Sequence, residues 1–390
     1  MSIKRLLLVA TVLGLSAGAA AAQDTYKVGI LTPNSGTFAK LGQQQTWAYQ
    51  IAADEINEAG GILGKKIEFV IEDTEANPKV ATQKAEKMAQ VDKVGLIIGT
   101  VSSGVTLATG PLAERHGVNV ITSTSWSDAI TMDKCSPNVF RVNARASQMA
   151  NALAQWLGQN FEGKRITYVG PDYEMGRNTV SAFKELAERE GLVSATEIFA
   201  PLETPDFSPF FGQIRASQAD VLFAPMAGED SVRFFTQLAD FGLNTQYRLT
   251  GGSGTITPAE LPAIGDAAEG FTFATGYTAS LDTPENQEFV AKYKQRSDGQ
   301  DPTLYAADAY GILYLVKAAA EKSGSLEPAA VREGMADMTW DTPQGPKTMR
   351  AGDNQAIMPM YVVQITDGAF EVIDTVDGEI AIGEDLCTRW

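Results

Sequence analysis

Two clusters of hydroxyl side chains are the groups in this sequence best suited to bind a ligand. The first cluster follows the apolar run "VGLIIG" and consists of Thr100, Ser102, Ser103 and Thr106. The second cluster follows the run "VNVIT", surrounds Trp126, and consists of Thr122, Ser123, Thr124, Ser125 and Ser127. Hydroxyl donors at a helix N-terminus suit a carboxylate, because free backbone N–H groups and the helix dipole also attract an anion. The two clusters therefore predict the binding of a small carboxylate.

Helix capping is the competing explanation for these hydroxyls. Ser and Thr are preferred N-cap and turn residues, so either cluster alone is accounted for without a ligand. Two clusters on consecutive structural units favour a binding site over capping.

The runs that precede the clusters belong to a regular alternation of strands and helices. Short apolar runs rich in β-branched residues predict the strands "YKVGILTP", "KIEFVIEDT", "VGLIIG" and "VNVIT", with helical patterns between them. Strands that are apolar throughout and separated by helices indicate a parallel sheet covered on both faces. A second series of the same kind starts at residues 164–170, so the sequence predicts an α/β protein with two doubly wound lobes.

This architecture also places the hydroxyl clusters. In open parallel sheets, ligands bind beyond the carboxyl ends of the strands, where strand-to-helix turns meet. The turns after residues 94–99 and 118–122 come from neighbouring strands, so we expect them to converge. The pattern after residue 276 could complete either lobe.

The first 22 residues have the composition of a cleaved secretory signal. Lys4 and Arg5 precede the apolar segment "LLLVATVLGL", and an Ala-x-Ala site ends at Ala22. Loss of these two positive charges would take the formal net charge from −17 to −19. A chain this acidic is unsuited to nucleic acid or to an anionic lipid surface. The sequence predicts an exported, periplasmic protein that does not insert into the membrane.

The sequence offers little for catalysis or metal binding. His116 is the only histidine, and its place beside Gly117 suggests a capping function at a helix end. We find no nucleophile elbow, phosphate-binding loop or dinucleotide fingerprint, and we expect no cofactor and no metal. Only Cys135 and Cys387 are present, and in an oxidising compartment such a pair is expected to form a disulfide.

Several longer stretches resemble a known family. These are "VGILTPNSGTFAKLGQQQTWAYQIAADEINEAGGILGKKIEFVIEDTEANPKVA", "GLIIGTVSSGVT" and "PDYEMGR". They resemble the type I periplasmic binding proteins of the leucine/isoleucine/valine-binding protein family, over essentially the whole mature chain. The resemblance implies two lobes joined by three hinge crossings, which close on a solute and deliver it to an ABC importer. It places residues 23–143 and 276–355 in the first lobe and residues 144–275 and 356–390 in the second.

The resemblance also implies where the ligand binds and how this chain departs from the family. The carboxylate contacts fall on the turn containing Ser103 and on the "TSTSW" turn, where Trp126 stands in place of a threonine. The family's acidic partner for a ligand ammonium corresponds here to Gly251 or Gly252. Glu229 or Asp230 could substitute, although acids also favour the first turn of any helix.

The expected lining of the cleft is apolar and partly aromatic. The family's second-lobe tyrosine corresponds to Met175, with Tyr173 two residues away. The predicted ligand-binding residues are Phe38, Leu41, Ser102, Ser103, Thr106, Thr124, Ser125, Trp126, Tyr173, Met226, Gly251 and Tyr305. Aromatic and Met side chains are also common in cores, so each one alone has a structural explanation.

Two ligands fit this receptor. The family default is a neutral or branched-chain amino acid, whereas the departures favour an aromatic or other apolar carboxylate without an ammonium group. An inner-membrane ABC permease is the expected partner, and a monomer is the expected state. A sensor component that presents its ligand to a membrane protein, and a periplasmic enzyme, are the alternatives from other classes.

Overall fold

The computed structural model describes residues 25–36, 38–172, 174–258 and 260–388, without the side chains of Glu174 and Met175. The predicted signal peptide therefore lies outside the described residues. Within the described part of the chain, no helix is both long enough and apolar enough to span a membrane.

The first of two sheets carries both hydroxyl clusters. Its strands are β1 (Thr25–Thr32), β2 (Lys66–Asp73), β3 (Leu96–Gly99), β4 (Asn119–Thr122), β5 (Val139–Arg141), β11 (Thr339–Trp340), β12 (Lys347–Arg350) and β13 (Gln355–Ile357). They lie in the order β11-β12-β13-β5-β4-β3-β1-β2. The pairs from β2 to β13 are parallel, and β11 and β12 extend that edge in antiparallel pairs.

The second sheet repeats this plan. Its strands are β6 (Arg165–Pro171), β7 (Val193–Ala200), β8 (Val221–Phe223), β9 (Arg248–Thr250), β10 (Thr272–Thr275), β14 (Met360–Thr366) and β15 (Ala369–Val376). They lie in the order β15-β14-β10-β9-β8-β6-β7, with parallel pairs from β7 to β10 and antiparallel pairs at the β14 and β15 edge.

Helices connect the strands and cover the sheets. The α-helices of the described chain are α1 (Ala39–Glu58), α2 (Pro78–Lys87), α3 (Ser103–His116), α4 (Ala146–Phe161), α5 (Glu174–Arg189), α6 (Ser208–Ala216), α7 (Gly228–Asp240), α8 (Leu261–Ile264), α9 (Pro284–Arg296), α10 (Leu304–Ser323), α11 (Pro328–Met335) and α12 (Gly378–Ile382). Every residue of β3 and β4 is buried, as expected for central strands with helices on both faces.

The strand order fixes where the hydroxyl-bearing turns lie. In the first sheet the order reverses between β1 and β3, and in the second between β6 and β8. Ligands of doubly wound sheets bind at such a switch point, in the crevice beyond the carboxyl ends of the strands. In the first lobe this point is formed by the turns after β1 and β3, and the turn after β4 adjoins it.

The chain crosses between the two sheets three times. It passes from the first to the second after β5, returns after β10, and crosses again between β13 and β14. The predicted class, two doubly wound lobes joined by three crossings, is thus confirmed. The exact lobe boundaries stay a prediction.

The predicted disulfide between Cys135 and Cys387 is present, with an S–S distance of 2.04 Å and a sequence separation of 252 residues. Cys135 lies in the first lobe between β4 and β5, whereas Cys387 follows α12, which packs against α4 of the second lobe. The bond therefore ties the C-terminal segment across the lobes.

A Cys135→Ser/Cys387→Ser variant is expected to lose about 2–4 kcal/mol of unfolding free energy, the usual range for a disulfide, because the denatured chain is no longer held in a closed loop. Urea denaturation monitored by circular dichroism measures this loss. Equal stability of the variant and the oxidised wild type would contradict the expectation.

Candidate functional site

The structure brings the two hydroxyl clusters together. Because β3 and β4 are parallel neighbours, their carboxyl ends present both turns at one edge of the sheet. The N–H of Ser127 donates to Ser103 Oγ at 3.2 Å, and the hydroxyls of Thr106 and Ser125 lie 2.6 Å apart. The predicted convergence of the two turns is therefore seen in the fold.

One pair of the predicted hydroxyls is committed to the protein itself. Thr106 and Ser125 are 1% and 0% exposed. Ser125 donates to the carbonyl oxygen of Thr100 at 2.5 Å, and the Thr106 hydroxyl, 3.2 Å from the same carbonyl, donates to Ser125 Oγ at 2.6 Å. Thr100 has a left-handed backbone with φ +57°, and this conformation directs its carbonyl to these partners. Thr106 and Ser125 thus join the two turns to each other.

A second pair of hydroxyls, those of Ser103 and Thr124, has protons that are not used in hydrogen bonds within the protein. Ser103 Oγ accepts from the Ser127 N–H, and Thr124 Oγ1 accepts from Gln45 Nε2 at 2.5 Å. Neither hydroxyl donates to any acceptor among the described residues, so both can donate to a ligand. Ser102 is the N-cap residue of α3, and its side chain makes no capping hydrogen bond.

A buried network holds the second turn from below. Gln45 of α1 donates to both Ser123 and Thr124, and its side-chain oxygen accepts from Thr32 at 3.0 Å. The Tyr49 and Ser123 hydroxyls lie 3.0 Å apart. The end of β1, the helix after it and the turn after β4 therefore form one hydrogen-bonded unit.

Trp126 and Tyr305 form an aromatic pair next to this unit. Their ring centroids are 6.1 Å apart and their planes differ by 23°, so the rings stack. Tyr305 lies in the first turn of α10, which Thr303 anchors to Gln44 of α1 with a hydrogen bond of 3.0 Å. The Trp126 Nε1 atom is buried and has no acceptor among the described residues. Burial raises the pKa of Tyr305, and the charge of Asp308 adds to the shift, so Tyr305 stays neutral at physiological pH.

Arg141 lies beneath the same turn and was not identified from the sequence. It is fully buried, and its Nη1 donates to the carbonyls of Ser125 and Ser127 at 3.1 Å and 2.6 Å. Burial lowers the pKa of Arg141 to about 9, which leaves the guanidinium charged at pH 7. Its only sequence signal is its place at the end of a short strand, which is too weak to single it out.

A buried ion pair lies where the lobes join. Lys347 Nζ contacts Asp308 Oδ1 at 2.6 Å, and the two residues are 1% and 2% exposed. Lys347 also donates to Val142 O, and Gln344 donates both to Asp308 and to Gly276 O. Burial raises the pKa of the Asp308 carboxyl and lowers the pKa of Lys347. The pair connects α10 to two of the three crossings, and sequence reasoning missed it because its members are 39 residues apart.

The predicted ligand-binding positions of the second lobe are Tyr173, Met226 and Gly251. Met226 is 2% exposed and packs in the hydrophobic core, and Tyr173 lies outside the described residues. A Cβ atom at Gly251 would lie 2.9 Å from Ala224 O and from Thr255 Oγ1, so no side chain fits there. At Gly252 the nearest atom would be 3.8 Å away, so a side chain would fit.

The acids considered as substitutes lie in the first turn of α7, and Asp230 is engaged with a cation. Asp230 contacts Arg233 at 2.5 Å and also accepts from the Glu203 N–H. Glu229 is exposed at the start of α7 and lies 3.9 Å from Arg233. Both therefore behave as first-turn acids of α7.

The remaining predicted positions lie at the start of α1. Phe38 is 40% exposed, and Leu41 is partly buried one helical turn before Gln45.

His116 ends α3 and contacts Glu86 Oε1 at 2.9 Å, and Gly117 takes the left-handed capping conformation. Among the described residues, no group of three His, Cys, Asp or Glu side chains could hold a metal ion.

Comparison with known proteins agrees with this two-lobed geometry. The sequence model of the periplasmic binding protein family matches residues 25–369. The chain belongs to this family. A Leu/Ile/Val-binding protein of Rhizobium johnstonii is 29% identical over 325 residues, which cover 83% of this chain and 86% of the relative.

Two solved structures of similar binding proteins have aromatic ligands. A solute-binding protein of an ABC transporter from Rhodopseudomonas palustris BisB5, in complex with 3,4-dihydroxybenzoic acid, is 28% identical with a TM-score of 0.76. The likeness covers 93% of this chain and 99% of that chain. A second solute-binding protein from R. palustris, in complex with 4-hydroxybenzoate, is 27% identical with a TM-score of 0.75 and covers 91% and 97% of the two chains.

Membership of the family gives the functional class of this protein. Proteins of the family are solute-binding receptors of ABC transporters and not enzymes. The family is periplasmic in Gram-negative bacteria.

Proposed function

We propose that this protein binds a small aromatic carboxylate, such as a benzoate or hydroxybenzoate, at the edge formed by Ser103, Thr124 and Trp126. One observation carries the proposal: two hydroxyls with protons to donate lie beside a stacked Trp–Tyr pair, and the positions that correspond to the family's acidic residue, Gly251 and Gly252, carry no side chain. This combination matches an anion attached to a flat apolar body.

The carboxylate would be held on the first lobe. Ser103, Gly104 and Val105 open α3, and the first N–H groups of a helix have no partner within it. Together with the Ser103 and Thr124 hydroxyls, they supply uncharged donors in an orientation that favours an anion. The aromatic ring of the ligand would lie against the Trp126 and Tyr305 pair.

The glycines at the positions expected to hold an acid favour a ligand without an ammonium group. Gly251 cannot carry a side chain, Gly252 has none, and Asp230 is paired with Arg233. Burying an ammonium without an anionic partner costs several kcal/mol. A branched-chain amino acid remains the second candidate, because the Leu/Ile/Val-binding relative is as similar in sequence as the two proteins with hydroxybenzoate-type ligands.

Closure of the lobes would complete the site. We infer that the turns after β6, β8 and β9, which include Tyr173, Met226 and Gly251, cover the ligand from the second lobe. Phe38 and Leu41 would line the cleft from α1, and Ser102 would flank the carboxylate. Thr106 and Ser125 would act by fixing the turns.

The loaded receptor would deliver its solute to an inner-membrane ABC permease. We further propose that the mature protein begins after Ala22 and is a periplasmic monomer. Presentation of the same loaded form to a membrane sensor would use the same cleft and differ only in the partner.

A thermal-shift screen of the refolded, ligand-stripped protein tests the proposed ligand class. At 100 times its dissociation constant, a ligand adds about 2.7 kcal/mol of stability. We expect benzoate and 4-hydroxybenzoate to raise the melting temperature by a few degrees, and leucine, isoleucine and valine to leave it unchanged.

Stabilisation by the amino acids and not by the benzoates would refute the proposal. It would also mean that another group, such as the exposed carboxylate of Glu229 or an ordered water molecule, binds the ammonium. Phenylalanine and 3-phenylpropionate are the matched pair in this screen, because they differ only in the amino group.

A further inference from the structure

The environment of Arg141 is unusual for a buried cation. The residue is 0% exposed, and its hydrogen bonds go to the carbonyls of Ser125 and Ser127 and to the side chains of Gln355 and Thr131. All four partners are neutral oxygens. Among the described residues, no carboxylate forms an ion pair with Arg141, although buried charges are normally paired.

The nearby acids are already engaged with other cations and donors. Asp353 is held by Arg350 at 2.6 Å and lies 3.6 Å from Arg145. Asp128 accepts from the N–H and the hydroxyl of Ser147 and lies 3.9 Å from Arg145. The positive charge of Arg141 is therefore not cancelled by a direct contact.

The two carbonyls that Arg141 holds lie on either side of Trp126. The Ser125 carbonyl belongs to the peptide unit that ends in the Trp126 N–H, and this N–H has no acceptor among the described residues. A cation bound to a carbonyl polarises the peptide unit and makes its N–H a stronger donor. Asn143 Nδ2 also donates to the Ser125 carbonyl at 3.2 Å, which adds to the polarisation.

We propose that Arg141 is a positioning residue that both fixes the 125–127 turn and provides, through its peptide units, the positive charge that selects an anionic ligand. This inference rests on the proposed function, because it assigns the counter-charge of the same carboxylate. In this arrangement the Trp126 N–H donates to the ligand carboxylate, so the buried charge lies one peptide unit from the ligand and acts on it through a medium of low polarity.

Thr131 gives a way to test the charge without removing the arginine. Its side chain is fully buried and accepts from Arg141 Nη2, and it is not among the proposed ligand contacts. Thr131→Asp would place a carboxylate against the guanidinium, whereas Thr131→Asn has nearly the same size and no charge. The two variants therefore differ in whether the charge of Arg141 is neutralised.

The measurement is isothermal titration of wild type and both variants with 4-hydroxybenzoate and with its neutral isostere, 4-hydroxybenzamide. We expect Thr131→Asp to bind the carboxylate about tenfold more weakly than Thr131→Asn, and the two variants to bind the amide equally. Circular dichroism and melting temperatures confirm that both are folded. If Thr131→Asp does not fold, Gln355→Glu is compared with wild type in the same titrations. This substitution places a carboxylate against Arg141 Nε, which donates to Gln355 in the wild type.

Three results would overturn the inference. Equal carboxylate affinity of the two variants would show that the charge of Arg141 does not reach the ligand. If Thr131→Asp binds the carboxylate and the amide more weakly than Thr131→Asn by the same factor, Arg141 supports the turn structurally and its charge does not select the ligand. If wild type binds neither probe, the proposed function fails and the inference fails with it.

Discussion

A Ser103→Ala/Thr124→Ala variant is expected to bind its carboxylate ligand more than 100-fold more weakly than wild type. Each hydroxyl accepts a hydrogen bond from the protein and keeps its proton for a ligand. A hydrogen bond to a charged group contributes about 1.5–3 kcal/mol, so the loss of two amounts to about 3 kcal/mol or more. Isothermal titration with the ligand found in the thermal-shift screen measures the change.

The control for this variant is Thr339→Ala/Thr348→Ala. These exposed hydroxyls lie 2.8 Å apart on β11 and β12, at the far edge of the same sheet. The control removes hydroxyls of the same kind and should leave both affinity and melting temperature unchanged. Unchanged affinity of Ser103→Ala/Thr124→Ala, in a folded protein, would mean that the ligand carboxylate binds elsewhere.

A Lys347→Met variant is expected to lose about 3–5 kcal/mol of unfolding free energy. The substitution leaves Asp308 buried at 2% exposure without its cation, and an uncompensated buried charge is strongly destabilising. Urea denaturation followed by circular dichroism measures the difference.

The double variant Asp308→Asn/Lys347→Met separates the charge effect from the packing effect. The amide that replaces the carboxylate would still accept from Gln344 and needs no counter-charge, so we expect the double variant to recover most of the loss. If the double variant is as unstable as Lys347→Met, the hydrogen bond from Lys347 to Val142 O, and not the ion pair, stabilises the crossings.

The alternation of strands and helices was predictable because it depends on local hydrophobic pattern. Runs such as residues 94–99 and 118–122 are mostly apolar, and every residue of the strands within them is buried, as expected for central strands of a parallel sheet. The same pattern placed the hydroxyls of the 100–106 and 122–127 turns at one sheet edge, where the structure has them.

The partners of the individual side chains could not be predicted. The sequence offers no reason to separate Thr106 and Ser125, which are internally bonded, from Ser103 and Thr124, which keep their protons. The difference arises from the left-handed conformation of Thr100 and the reach of Gln45 from another helix. These are contacts between segments, and hydrophobic periodicity carries no information about them.

The amino-acid sequence alone was enough to predict the two-lobed α/β fold, the meeting of the two hydroxyl clusters at one sheet edge, and the pairing of the only two cysteines, Cys135 and Cys387. Periodicity, turn composition and cysteine count are local or global properties of the chain, so they can be read without coordinates. The folded structure was needed to show that Arg141 lies under the Trp126 turn, that Asp230 is neutralised by Arg233, and that Gly251 has no room for a side chain. Each depends on which distant atoms the fold brings within a few ångströms, and that proximity decides the charge and the free donors of the site.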